Sequence, residues 1–124
     1  MRVYRWSWGV ALATALAVRA GDTGIDGTAK TAWGENVGWV NAAPIGTGIA
    51  VHFDGEAGWL SGYAWVENVG WIKFGSDMGG PYANGTATDW GVNLNASGAL
   101  SGYAWGENIG WISFNTSSGG VTVD

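Results

Sequence analysis

Apolar and polar residues alternate in short runs along this chain, and Gly, Asn or Ser interrupts each run after a few positions. Residues 92–95 alternate, Ala96-Ser-Gly98 breaks the pattern, 100–105 alternate again, Gly106-Glu-Asn-Ile-Gly110 breaks it, and 111–114 alternate a third time. A period of two with such breaks predicts short antiparallel strands joined by hairpins. The same parts recur at 49–54, 59–65 and 71–74, so each unit reads as a three-stranded meander. No long helical period and no heptad pattern follows residue 21.

The units are copies of one another. Leu100-Ser-Gly-Tyr-Ala-Trp-Gly-Glu-Asn-Ile-Gly-Trp-Ile-Ser-Phe114 returns as Leu60-Ser-Gly-Tyr-Ala-Trp-Val-Glu-Asn-Val-Gly-Trp-Ile-Lys-Phe74, and in shorter form as Ala32-Trp-Gly-Glu-Asn-Val-Gly-Trp-Val40. Three such blocks mark a repeat architecture. The first unit has a middle strand near 28–33 and a last strand near 39–41, but no clear opening strand. Gly120-Val-Thr-Val-Asp124 has the shape of the opening strands at 51–54 and 92–95, with nothing after it. The expectation is an all-β domain over 21–124, with repeats at about 21–45, 46–78 and 86–118. In it the C-terminal strand 120–124 completes the first repeat and closes a three-fold, prism- or small-propeller-like arrangement, which removes a free edge. The alternative is an open β-solenoid stack.

Strand alternation also sorts the side chains. If Trp105 pairs with Trp111 across the turn, Leu100, Gly102, Ala104, Ile112 and Phe114 share an apolar face. Ser101, Tyr103, Trp105, Trp111 and Ser113 share the other. The second repeat divides likewise, Leu60, Gly62, Ala64, Ile72 and Phe74 against Ser61, Tyr63, Trp65, Trp71 and Lys73. Two uses of the aromatic face follow. The indoles are either internal mortar, packed on the flat Gly/Ala patch of a neighbouring sheet, or open platforms with polar neighbours, suited to the C–H faces and hydroxyls of sugars.

Composition sharpens this picture. The chain of 124 residues holds 23 Gly and 10 Trp, no Cys, and 12% charged residues. Aromatics at this level exclude a disordered chain, and Gly without a collagen period fits many tight turns. Residues 1–20 read as a signal peptide: Arg2 and Arg5 open it, an apolar run spans 9–18, and Val18-Arg-Ala20 offers a cleavage site. That run is too short to cross a bilayer. Beyond it, Lys30 and Lys73 stand against ten carboxylates, a formal charge of −8. Nucleic acid is excluded as a partner by that sign, and membrane insertion after signal cleavage is not expected. Secreted, periplasmic or cell-surface location follows.

Catalytic constellations are scarce. His52 is the only histidine, which excludes a multi-histidine metal site, and the absence of Cys removes thiolate ligands. A Ser-His-Asp set would need His52 with a partner such as Asp54, and no nucleophile elbow supports it. Glu35, Glu67 and Glu107 could in principle pair for glycoside hydrolysis, but three equivalent carboxylates do not offer the two different environments that acid and nucleophile require. The Glu-Asn pairs, Glu35-Asn36, Glu67-Asn68 and Glu107-Asn108, read first as turn residues, with Asn in a left-handed conformation and Glu accepting turn N–H bonds. They would otherwise serve as acceptors for sugar hydroxyls or as a weak Ca²⁺ site, for which one carboxylate per turn is too few.

Residues 101–114, Ser-Gly-Tyr-Ala-Trp-Gly-Glu-Asn-Ile-Gly-Trp-Ile-Ser-Phe, resemble a repeat of uncharacterised bacterial secreted and surface-associated proteins. The resemblance implies location rather than chemistry. The first copy departs from it at Ala29-Lys-Thr31. The three-fold reading is also similar in architecture to β-prism lectins, an analogy of fold alone. The expected function is a non-catalytic module with no cofactor and no metal. It is expected to bind glycans or cell-envelope components through Trp33, Trp39, Tyr63, Trp65, Trp71, Tyr103, Trp105 and Trp111, with Glu67, Asn68, Glu107 and Asn108 beside them. The alternative is a structural envelope or assembly protein with internal Trp packing.

Overall fold

The computed structural model describes residues 21–115. The expected signal segment, 1–20, and closing strand, 120–124, lie outside the described residues. Ten strands form in chain order: β1 Gly21–Gly24, β2 Thr31–Gly34, β3 Gly38–Asn41, β4 Ala50–Phe53, β5 Ala57–Ser61, β6 Tyr63–Val66, β7 Gly70–Lys73, β8 Val92–Asn95, β9 Leu100–Gly106 and β10 Gly110–Ser113. All pairings are antiparallel. They form one open path, β1-β4-β5-β8-β9-β7-β6-β3-β2, with β10 branching from β9. No pairing among the described residues joins β1 to β2 or closes a three-fold ring. The arrangement is an open array of repeats.

The path doubles back because the middle strand of each repeat serves two parts of the sheet. Leu100–Gly102 pairs with β8, whereas Tyr103–Gly106 pairs with β10 and in part with β7. In the second repeat the same strand is split, β5 pairing with β4 and β8, and β6 with β3 and β7. The corner falls at Gly62 (φ 86°) and Gly102 (φ 92°). L-residues avoid this backbone region, and a Cβ there would collide with the carbonyl oxygen of Gly48 or Gly91. The linker braces each corner. Tyr63 N–H donates to the Thr47 carbonyl and Tyr103 N–H to the Gly91 carbonyl, both at 3.0 Å.

Two limbs result, and their apolar faces meet in one core. Val51, Leu60, Val92, Leu94 and Leu100 come from the first limb (β1, β4, β5, β8 and the start of β9). Ala64 and Ala104 come from the second (β2, β3, β6, β7, the end of β9, and β10). Phe74, Ala42 and Ile49 fill the space where linkers cross, and Phe74 lies 6.0 Å from Phe114. The alternation read from sequence holds: Leu100, Gly102 and Ala104 are buried, while Ser101 and Trp105 are exposed. Each fully buried Leu or Val contributes roughly 1.5–3 kcal/mol, so this small shared core is what fastens the limbs together.

The first repeat corrects the sequence reading. Its middle strand starts earlier than residue 28, at β1. Gly21 pairs with Phe53 as Gly58 pairs with Leu94, so β1 occupies the place that β5 holds in the second repeat. Residues 25–30 stand where the other repeats have a single bending glycine. The long segment after β7 also packs rather than looping free. Tyr82 is buried, its hydroxyl donating to the Leu60 carbonyl at 2.9 Å, and burial raises its hydroxyl pKa. Asn93 clamps the Tyr82 backbone, accepting from its N–H at 2.9 Å and donating to its carbonyl at 2.7 Å. Gly75 and Gly91 leave the space that the ring occupies.

Asx-type turns close the loops on the first limb. Asp54 Oδ1 accepts from Ala57 N at 2.8 Å and Glu56 N at 2.9 Å. Asn95 Oδ1 holds Ser97 and Ala99 in the same way, and at the corner between β1 and β2 Asp26 Oδ1 holds Thr28 and Ala29. The Ala57 and Glu56 N–H groups keep the Asp54 carboxyl below the usual aspartate range, as those of Ala29 and Thr28 do for Asp26.

Two outcomes are expected. Gly102→Ala should destabilise the domain by more than the ~1–2 kcal/mol of the left-handed penalty alone, because the clash adds to it; denaturant unfolding measures this. A depressed folded-state pKa adds stability above the unfolded value of about 3.9, lost as pH falls through the lower folded value. The denaturation midpoint should therefore drop on acidification below roughly pH 4, and Asp54→Asn, which imitates Asn95, should flatten part of that drop.

Candidate functional site

The Trp-x-Glu-Asn-[Val/Ile]-Gly-Trp block folds as a tight hairpin on the second limb. Val37, Val69 and Ile109 N–H donate to the carbonyls of Gly34, Val66 and Gly106 at 3.2, 3.1 and 3.3 Å. A left-handed glycine follows each, Gly38, Gly70 and Gly110. This is a turn of three loop residues ending in a glycine bulge. The sequence reading gave the left-handed position to Asn36, Asn68 and Asn108; it belongs to the glycines instead, since among the described non-glycine residues only Asn84 has positive φ.

Each hairpin sets two tryptophans directly opposite one another: Trp33↔Trp39, Trp65↔Trp71 and Trp105↔Trp111. The rings meet edge to face, with centroids 5.3, 5.1 and 4.9 Å apart. Tyr63 extends the second pair and Tyr103 the third, at 6.1 and 6.3 Å from Trp71 and Trp111. The first repeat has Thr31 at that position. All six paired indoles lie on the outer face of the second limb. Their exposure runs from 36% at Trp71 to 62% at Trp33, so internal mortar does not describe them. Trp59 and Trp90 are half-buried, Trp59 stacked on His52 at 5.1 Å and Trp90 set against Trp111 at 5.1 Å.

Polar groups flank the aromatics. A groove of about 460 Å³ runs between the second and third repeats, lined by Thr47, Tyr63, Trp71, Lys73, Trp105 and Glu107. Lys73 Nζ sits 5.8 Å from the Tyr63 ring centroid and donates to Asp77 Oδ1 at 2.7 Å, a bond that raises the Lys73 pKa. A second groove of similar size lies beside Tyr103 and Trp111, walled by residues 84–87 and Trp90. The long linker thus supplies a wall that sequence reasoning did not anticipate. The signal was there in Asn84-Gly, a left-handed Asn whose Oδ1 accepts from Gly91 N at 2.9 Å.

Glu67 and Glu107 do not serve their own turns. Glu67 Oε1 accepts the Trp39 N–H at 3.1 Å and Glu107 Oε2 accepts the Trp71 N–H at 2.7 Å, each reaching back to the preceding repeat. Asn108 Nδ2 donates to the Val69 carbonyl at 2.9 Å. These exposed residues tie neighbouring repeats together beside the aromatic face, and one oxygen of each carboxylate takes no bond among the described residues. No group of three or more metal-ligating side chains gathers among the described residues. His52 Nε2 and Ser61 Oγ lie 2.7 Å apart, with donation set by the tautomer. This pair spans neighbouring strands on the first limb, under the Trp59 ring and apart from the six paired indoles.

Glu67→Ala should cost about 1 kcal/mol, the net worth of one hydrogen bond, read from denaturant unfolding, and Glu67→Gln should retain most of it. The site has no guide outside its own geometry: the chain matches no family model, no curated protein and no solved structure.

Proposed function

We propose that this is a non-catalytic, secreted or cell-surface module that binds carbohydrate along its tryptophan face. The carrying observation is the row of three exposed edge-to-face indole pairs on one side of one limb. Large apolar rings held open to water are costly to a fold that could bury them, and contiguous exposed aromatics mark binding surfaces. Sugars suit this face because their C–H faces stack on indole while their hydroxyls need directed partners. Lys73, Glu107, Tyr63 and Thr47 offer such partners within one groove.

Spacing points to a chain rather than a single sugar. Each repeat contributes two strands to the second limb and steps two residues in register, so equivalent indoles recur about every 11–12 Å along a line oblique to the strands. That step is a little longer than two pyranose units of an extended polysaccharide, so a glycan chain lying obliquely across the strands would pass successive platforms. The net negative charge of the chain beyond residue 20 favours neutral over acidic glycans.

Titration with neutral polysaccharides and their oligomers, followed by Trp fluorescence and calorimetry, tests the reading. Affinity should rise with oligomer length until the three platforms are spanned. Trp71→Ala and Trp105→Ala should each weaken binding by roughly ten-fold or more, since an aromatic platform is worth about 1–3 kcal/mol, with the fold unchanged by circular dichroism. Absence of binding across a broad glycan panel would sink this function.

A further inference from the structure

The contacts between neighbouring repeats are directional, and they leave a matching half at each end of the array. At the first junction Glu67 N–H donates to the Trp39 carbonyl at 2.9 Å, Glu67 Oε1 accepts from Trp39 N–H, and Asn68 N–H donates to the Val37 carbonyl at 3.0 Å. At the second junction Glu107 makes the same two bonds to Trp71, and Asn108 reaches the Val69 carbonyl with its side-chain Nδ2 rather than its backbone N–H. Strand register repeats as well: Val40↔Val66 and Asn41↔Trp65, then Ile72↔Gly106 and Lys73↔Trp105. In each case the Glu-Asn turn of the later repeat caps the Gly-Trp step of the earlier one.

At the ends, one half of this contact stands alone. Glu35 and Asn36 are exposed and bond to nothing among the described residues. At the other end Trp111 N–H and its carbonyl face the open edge of β10, which pairs only with β9 among the described strands. Gly38 and Gly70 are each covered by the next repeat, where an added Cβ would strike Glu67, or Asn108 and Glu107. Among the described residues Gly110 has only the Trp105 ring near it, at 3.9 Å. Ile109 is 56% exposed, whereas its counterparts Val37 and Val69 are half-buried. Among the described residues the seat is formed and uncovered.

We infer that a second copy of this chain fills it, the β2 edge of one molecule adding to the β10 edge of the next. Glu35 of the incoming copy would take the Trp111 N–H, its own N–H would meet the Trp111 carbonyl, and Asn36 would reach the Ile109 carbonyl. Register continues as Ile112 against Gly34 and Ser113 against Trp33. The surface that joins differs from the surface it joins to, so the contact is heterologous and propagates head to tail, by strand addition at an edge. It carries the row of indoles onward from copy to copy. The inference stands on the inter-repeat contacts and is independent of what the indoles bind.

Sedimentation velocity over a range of concentrations reads the outcome. The wild-type chain should show a concentration-dependent series of linear oligomers. Glu35→Lys, which sets an ammonium against backbone donors, should be monomeric, and Glu35→Gln, which keeps an acceptor, should still associate. Ser113→Pro removes one outward N–H from the β10 edge, a position where proline is tolerated, and should also be monomeric. An equimolar mixture of Glu35→Lys and Ser113→Pro retains one intact edge of each kind and should stop at dimers. A wild-type chain monomeric at every concentration overturns the inference. So does association that survives Glu35→Lys, or a mixture that grows past dimers. Glu35 makes no bond within the described fold, so its variants keep the test valid if Ser113→Pro fails to fold.

Discussion

A strand can belong to two sheet limbs only if its backbone turns a corner without losing its hydrogen bonds, and in this fold Gly62 and Gly102 make that turn. Everything else is arranged around it. Upstream of the corner the chain pairs with the opening strand of its repeat; downstream it pairs with the closing strand. The corner brings Leu100 and Ala104, four residues apart on one strand, onto two limbs that share a core. It also leaves Trp105 on the outside, because the small Ala104 and Gly106 provide the inward-facing positions on either side of it. Without the bend the same alternation would build a flat sheet with one greasy face and no partner.

Burial and display are therefore two sides of one pattern. The inner face uses small and medium side chains at close approach, and the outer face carries the largest side chains in the chain. The cross-strand indole pairs hold each other edge to face, an arrangement worth about 0.5–1.5 kcal/mol beyond area burial. Each ring is thus fixed by its partner rather than by a covering layer. Glu67 and Glu107 add a tether, tying the backbone of one tryptophan to the next repeat. The resulting surface is held by many contacts and still open to water.

Much of this could be read from the residues in order. The hairpin register that opposes Trp65 to Trp71 follows from Gly and Asn in the turn and alternation on both sides, and both are local. The division of faces follows from the same period. What the sequence hid is non-local. Glu67 bonds to Trp39 and Glu107 to Trp71, partners 28 and 36 residues away, and nothing in a Glu-Asn turn announces that reach. β1 was concealed because Gly21-Asp-Thr-Gly24 has residues that disfavour strands; it is held by the β4 edge rather than by propensity. The corner glycines did leave a trace. A glycine interrupting an otherwise regular strand, at the same place in both full copies, is a mark of close backbone approach. Exposure of the indoles was beyond reach, since alternation tells which side a ring faces and not whether anything covers that side.

The Glu-Asn contact between repeats has an evolutionary side. Every unit brings the acceptor that its predecessor needs and offers the donor that its successor will use. An in-frame duplication of one unit would arrive with its joints already made and disturb neither neighbour. The number of units can then change without a period of misfolding in between. Length, in a protein built this way, is among the easiest traits for selection to change.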